Sequence, residues 1–286
     1  MGVMGAAVKK RRIAAVALIA AMAGTVMTGC APAAPGPAPG ETATESTLTG
    51  TFTGTLTVFA AASLTDTFTA IAQAFNEEHP DVQLVFNFGG SSGLATQIVE
   101  GAPVDVFAAA SGATMATVTD AALADGEPVV FVTNSLEIAV PAGNPGGVTG
   151  LADFAKPELV IALCEPAVPC GAASVTVLDG AGVVASVDTL EQDVRAVLTK
   201  IELGEVDAGL VYKTDVLAAG DAVEGIEFAG AAAAIGRYPI VQLVDSANPG
   251  AANPGAANPA VAAAFIALVL SPIGQQIFKD AGFGAP

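Results

Sequence analysis

Two serine-bearing turns are the first residues in this sequence whose types and spacing point to chemistry. Ser63 follows the β-type run Leu56-Thr57-Val58-Phe59-Ala60. Ser91 and Ser92 sit in Gly89-Gly90-Ser91-Ser92-Gly93, after the second such run, Asp81-Val82-Gln83-Leu84-Val85-Phe86. Apolar residues at helical spacing follow each turn: Phe68, Ile71, Ala72 and Phe75 after the first, and Leu94, Ile98 and Val99 after the second. Ser63 is placed to act as an N-cap. A hydroxyl at the head of a helix joins backbone N–H groups that lack an intrahelical acceptor, at the positive end of the helix dipole. Such a turn holds an anion. The glycine-rich turn is not a P-loop, because no Gly-Lys-Ser/Thr follows, and it lacks the GxGxxG spacing of a dinucleotide site.

Other chemistries are poorly supplied. There is no GxSxG elbow to activate a serine. The single histidine, His79, lies in Asn76-Glu77-Glu78-His79-Pro80 and reads as a solvated residue at a helix end. Asp66 charges the first turn of its helix, and Asp105 caps or braces a turn. Cys164 and Cys170 stand six apart in a stretch with two prolines. In an exported chain an even pair favours a disulfide over free thiols, and zinc lacks a nearby histidine. No metal site and no catalytic residue is expected.

Export is written at the N-terminus. Lys9-Lys10-Arg11-Arg12 precede an eleven-residue apolar run, Ile13 to Ala23, too short for a bilayer span of about 20 residues and suited to a secretory signal. Met27-Thr28-Gly29-Cys30 resembles a bacterial lipobox, which makes 1–29 a lipoprotein signal peptide and Cys30 the lipidated first residue of the mature chain. Residues 30–54, rich in Pro, Ala, Gly, Thr and Glu, read as a flexible tether. The chain of 286 residues carries 28 acidic and 10 basic side chains, a net charge of −18. Without the N-terminal segment six basic residues remain, and the balance becomes −22. That excludes nucleic acid and anionic lipid surfaces as partners. With 52% hydrophobic residues the chain can bury a large core.

The elements that must position the serines alternate. A third strand at Val104-Asp105-Val106-Phe107-Ala108 precedes a helix near 113–124. Strands at 129–132 and 136–140 lead out of this first unit. A second α/β unit follows, with strands at 159–163, 208–212 and 226–228, a helix after Gly171 and another over 188–200. The run from Tyr238 to Val244 reads as a crossover strand returning to the first unit, closed by helices at 261–270 and 273–278. Alternation of this kind implies parallel sheets flanked by helices, with ligands at the strand C-terminal ends. The repeat of Asn248-Pro249-Gly250-Ala251-Ala252 cannot be helical with proline at every fifth residue. It reads as a surface loop.

The sequence is similar to a known family at the same residues. Val58-Phe59-Ala60-Ala61-Ala62-Ser63-Leu64-Thr65-Asp66, Gly90-Ser91-Ser92-Gly93-Leu94-Ala95-Thr96-Gln97-Ile98 and Gly101-Ala102-Pro103-Val104-Asp105-Val106-Phe107 resemble the molybdate-binding proteins of ABC importers. The resemblance continues through Val168-Pro169-Cys170-Gly171, Asp193-Val194-Arg195 and Gly209-Leu210-Val211-Tyr212, and runs from Thr55 to Phe283. It implies a two-lobed type II periplasmic binding protein fold, each lobe a mostly parallel sheet flanked by helices, with the ligand in the cleft between them. Lobe 1 is expected at 55–137 and 240–286, and lobe 2 at 138–239. The family pattern makes Ser63 and Ser91 ligands in the first lobe, and the amides of Cys170 and Val194 and the hydroxyl of Tyr212 ligands in the second. Cys170 stands where alanine is common in the family, which puts the expected bridge beside the ligand. Arg195 and Arg237 match no ligand position. The implied role is extracytoplasmic capture of molybdate, and of tungstate, for delivery to a membrane permease, by a monomer anchored through Cys30 to the outer face of the cell membrane. No cofactor and no enzymatic activity are implied. Capture of another oxyanion such as sulfate on the same scaffold is the alternative.

Overall fold

The structure, a computed structural model, describes residues 52–244 and 259–286. The expected signal peptide, Cys30, nearly all of the tether and the Asn-Pro-Gly-Ala-Ala repeat lie outside the described residues. The end of the expected tether belongs to the fold. Phe52 packs its ring 4.8 Å from that of His79, and Gly54 already begins a strand.

Two five-stranded sheets are built on one plan. The first contains β1 (Gly54–Ala61), β2 (Val82–Gly89), β3 (Val106–Ala108), β4 (Ala124–Asn134) and β10 (Gly236–Leu243), in the order β2-β1-β3-β10-β4. The second contains β5 (Leu136–Pro141), β6 (Ile161–Cys164), β7 (Thr189–Glu191), β8 (Ala208–Tyr212) and β9 (Val223–Ile226), in the order β7-β6-β8-β5-β9. In each, a β-α-β-α-β run supplies three parallel strands, one reversed strand (β10 or β5) pairs antiparallel beside them, and the edge strand (β4 or β9) pairs antiparallel with that one and so runs the same way as the trio. Four of the five strands in each sheet therefore share one direction, so the sheets are mixed but mostly parallel, as expected. The reversed strands, β10 and β5, are the ones that carry the chain between lobes.

The change of sheet falls at Ser135 and just before Gly236, a few residues from the expected boundaries. Leu136 and Glu137 pair with Tyr212 and Val211 in the second sheet. Gly236 to Pro239 pair with β4 in the first.

Helices cover both sheets: α1 (Thr65–Glu78), α2 (Ser91–Val99), α3 (Gly112–Asp120), α7 (Pro259–Leu270) and α8 (Pro272–Asp280) in the first lobe, and α4 (Pro169–Ala181), α5 (Val194–Glu202) and α6 (Lys213–Ala219) in the second. On α5, Val194, Val197, Leu198 and Ile201 are buried at helical spacing. Of the apolar face expected for α2, Leu94 and Ile98 are buried but Val99 is 46% exposed. The segment expected as one helix over 188–200 begins with the short strand β7, and Ala124 opens β4 instead of ending a helix.

The two cores differ in material. Under the first sheet Phe68 meets Phe86, Phe131, Phe265 and Phe278 at ring distances of 5.9–6.3 Å, edge-on or tilted as aromatic quadrupoles prefer. The second core is chiefly aliphatic, with Ile138, Phe154, Ile161, Val197, Ile201 and Leu210 fully buried.

Candidate functional site

The first two strands of each parallel trio end in turns that open helices, and these turns face each other across the junction of the lobes. The five expected ligand residues, Ser63, Ser91, Cys170, Val194 and Tyr212, line one small cavity there, of about 20 Å³. All five are buried. Ala61, Ala62, Gly89, Gly90, Ala110, Val168, Pro169 and Asp193 complete the wall. A space this size is far below the roughly 300–1,000 Å³ of ordinary small-molecule pockets and suits a single small ion. A wider cleft of about 440 Å³ continues outward past Gly90 and Val168.

Each residue arrives by a local rule. Ser91 is the first residue of α2, so its N–H has no intrahelical acceptor. Its Oγ accepts the N–H of Ala110 at 3.0 Å, which leaves the hydroxyl proton free to be donated. Cys170 follows Pro169 at the head of α4; the proline fixes the first helical residue without an N–H of its own. Val194 opens α5, capped by Asp193, whose carboxylate accepts the N–H of Ala196 at 3.0 Å. Tyr212 is the last residue of β8. Three helix N-termini thus converge, each carrying a positive partial charge of about half a unit. Among the described residues no Lys, Arg or His lines the cavity, and no group of three His, Cys, Asp or Glu could hold a metal ion.

Ser63 differs from its expected role. It lies within a 3₁₀ turn, Ala62–Leu64, and caps nothing. Its Oγ is instead 2.9 Å from the hydroxyl of Tyr238. Tyr238 was expected only as part of the crossover strand, yet it is fully buried, and its ring meets that of Tyr212 edge-on at 6.0 Å. Asn134 donates to Thr214 Oγ1 at 2.8 Å and accepts the Ser135 N–H at 3.0 Å. Neutral hydroxyl and amide groups therefore stand behind the cavity at the point where the chain changes lobes. Burial pushes the Tyr212 and Tyr238 phenols above their ordinary range, so both remain protonated donors at neutral pH. The sequence held no signal for this arrangement beyond the place of Tyr238 on a returning strand.

Charged groups stand behind the site. Arg195, one residue after Val194, pairs with Asp66 on α1 of the first lobe. Its Nε is also 3.1 Å from Asp215 Oδ1, an ion pair without hydrogen-bond alignment. Asp215 is completely buried, and its Oδ2 accepts the N–H of Tyr212 at 3.1 Å. Burial raises the Asp215 carboxyl to about 7, against the opposing pull of Arg195. Asp105 braces the sheet by accepting the Thr57 N–H at 2.7 Å. His79 caps the end of α1 half-buried between Phe52 and Phe75, so it is less solvated than expected. Cys164 and Cys170 form a disulfide, with Cα atoms 5.8 Å apart, tying the end of β6 to the head of α4. The lobes touch on the outer rim as well, where Ser92 Oγ donates to Ala167 O at 2.8 Å.

Known proteins share this architecture. The family described as bacterial extracellular solute-binding protein matches residues 56–284. The molybdate-binding protein ModA of Mycobacterium tuberculosis is 38% identical over 231 residues, which cover 81% of this chain and 85% of that protein. The periplasmic molybdate-binding protein of Azotobacter vinelandii superposes with a TM-score of 0.66 at 21% identity, covering 81% of this chain and 99% of that one. The sulfate-binding protein SubI of M. tuberculosis also gives 0.66, at 17% identity, over 80% of this chain and 86% of its own. By the match along its whole folded length and its identity to ModA, the chain belongs to the bacterial extracellular solute-binding proteins, in the ModA family.

Proposed function

We propose that this protein captures molybdate, and equally tungstate, outside the cytoplasm and hands it to an ABC importer. The observation that carries the reading is the cavity itself: hydroxyls and helix-end amides from both lobes enclose a space for one small ion, with no cationic side chain among its lining residues. The identity to ModA supports the choice of ion. Ser63 and Ser91 donate through their hydroxyls and backbone N–H groups, Tyr212 through its hydroxyl, and Cys170 and Val194 through backbone N–H groups.

A buried dianion needs donors on all sides, because desolvation is otherwise prohibitive. Hydrogen bonds to a charged acceptor contribute about 1.5–3 kcal/mol each. About seven of them match an association cost of about 4–15 kcal/mol with enough left for submicromolar binding. A site of donors alone favours an ion that is fully deprotonated at neutral pH. Monohydrogen phosphate is penalised, since its proton finds no acceptor. Sulfate is excluded only by its smaller size, and it is the alternative ligand, because the sulfate-binding SubI shares the scaffold as closely as the molybdate-binding protein of A. vinelandii does. The protein acts without a cofactor, as an exported monomer held to the outer face of the membrane by lipid on Cys30. It delivers the ion when the closed lobes dock on a permease.

Calorimetric titration with molybdate, tungstate, sulfate and phosphate tests the reading. Tight heats with the first two and weak or absent heats with the others are expected. Lack of any heat or melting shift with molybdate would overturn it.

A further inference from the structure

We infer that Gly90 is the spacer residue that sets how far the lobes close, and so the size of the oxyanion cavity. The inference rests on the oxyanion reading above. Gly90 precedes α2 in the first lobe with φ −61° and ψ 120°, a conformation open to any L-residue. Its lack of a side chain therefore answers no local backbone demand. The demand comes from the other lobe. A Cβ at position 90 would lie 2.2 Å from the carbonyl oxygen of Gln192 and 3.6 Å from Asp193 Cβ. These are the two residues that lead into α5. Non-bonded heavy atoms settle at about 3.5–4 Å, so a methyl group here would hold this rim of the cleft apart by about 1 Å or more.

The position of the contact gives it leverage. Gly90 lies next to Ser91, and Gln192 lies two residues before Val194, so this close approach of the lobes sits beside two of the five ligand residues. Gly90 also lines both the small cavity and the wider cleft outside it. Hydrogen bonds weaken steeply with length, and a bond stretched by about 1 Å from 2.9 Å is no longer one. A propped cleft would keep the donors of one lobe on the ion and lose those of the other.

The same contact brings the positive N-termini of α2 and α5 together, which is unfavourable until an anion lies between them. Closure to this distance therefore follows occupancy of the cavity, and the backbone contact at Gly90 is where it stops.

The test compares wild type, Gly90→Ala and Gly112→Ala. The last is a control at the head of α3, where an added Cβ would meet nothing within 4 Å. Thermal melting without ligand, molybdate calorimetry and ligand-induced compaction by small-angle scattering are measured for all three. Expected are equal ligand-free melting temperatures, a Kd at least tenfold weaker for Gly90→Ala alone, and incomplete compaction for that variant alone. A Gly90→Ala protein that binds within threefold of wild type and compacts fully overturns the inference. So does one whose ligand-free melting temperature falls, because the clash would then lie within a lobe. A wild type that binds no molybdate instead overturns the proposed function.

Discussion

The first lobe meets the cavity with side chains, and the second meets it mostly with backbone. Ser63 and Ser91 each present a hydroxyl that is hydrogen-bonded from behind, by Tyr238 and by the Ala110 N–H. At the helix heads that follow β6 and β7 stand Cys170 and Val194, whose side chains have no hydroxyl to give, and only Tyr212 at the end of β8 adds one. The same β-α-β-α-β plan has thus been furnished in two ways. Amides at helix heads come with the fold and tolerate changes of side chain. Hydroxyls are set by residue identity and can be removed one at a time.

Substitutions sharpen that contrast, beginning with the largest effect. Ser91→Ala removes a proposed ligand donor and strands the Ala110 N–H, and Ser63→Ala removes a proposed donor and a partner of Tyr238. Each is expected to raise the molybdate Kd tenfold or more, about 1.4 kcal/mol per decade, with the larger loss at Ser91. Unchanged calorimetric affinity would take either residue out of the site. Tyr212→Phe removes the hydroxyl donor of the second lobe and should cost about tenfold. If it cost nothing, the second lobe would be acting through backbone alone.

A third test reads stability instead of affinity. The folded protein holds a proton on Asp215 up to about pH 7, whereas an unfolded carboxyl loses it near its ordinary value of 3.8. The folded state therefore binds more protons between these limits, and this group lowers stability as pH rises from about 4 to about 7. Asp215→Asn should flatten that part of a melting-temperature profile. Parallel profiles for wild type and variant would contradict the sign. Next comes Asp66→Asn, which breaks the pair with Arg195 across the lobes. With side-chain exposures of 27% for Arg195 and 59% for Asp66, the pair is worth about 1 kcal/mol or less, so ligand release should quicken about fivefold at most in stopped-flow traces. Added salt should shift equilibrium binding little, because no Lys, Arg or His side chain is among the residues lining the cavity. The smallest effect on affinity is expected at Val194→Ala. It trims a buried side chain but keeps the amide, so it should lower the melting temperature while leaving Kd within about threefold. A tenfold loss there would erase the distinction between the two lobes.

Much of this arrangement was legible in the sequence, because the serine turns and the strand–helix alternation are local patterns. Leu94 and Ile98 announce the buried face of α2, whereas the helix expected after Gly171 already begins at Pro169. What escaped depends on partners distant in the chain. Whether Ser63 caps a helix or meets Tyr238 is decided by a strand 175 residues further on. Antiparallel entry of β5 and β10 leaves no mark in strands buried on both faces. A strand as short as Thr189–Glu191 carries too few residues for a period to show. The Gly90 contact was equally hidden, since a glycine before a helix reads as a turn residue until the opposite lobe is in place.

The passage of the chain between lobes also orders events in time. The second lobe is one unbroken stretch from Leu136 to just before Gly236, whereas the first must wait for β10, α7 and α8 to complete a sheet begun at Gly54. A chain threaded outward from its N-terminus therefore exposes β1 to β4 early, with the neighbour that joins β3 to β4 still unmade. The second lobe has all its strands in hand roughly when β9 emerges. Its amides should gain protection from hydrogen exchange before those of β4, an order set by sequence separation and not by the relative strength of the two cores.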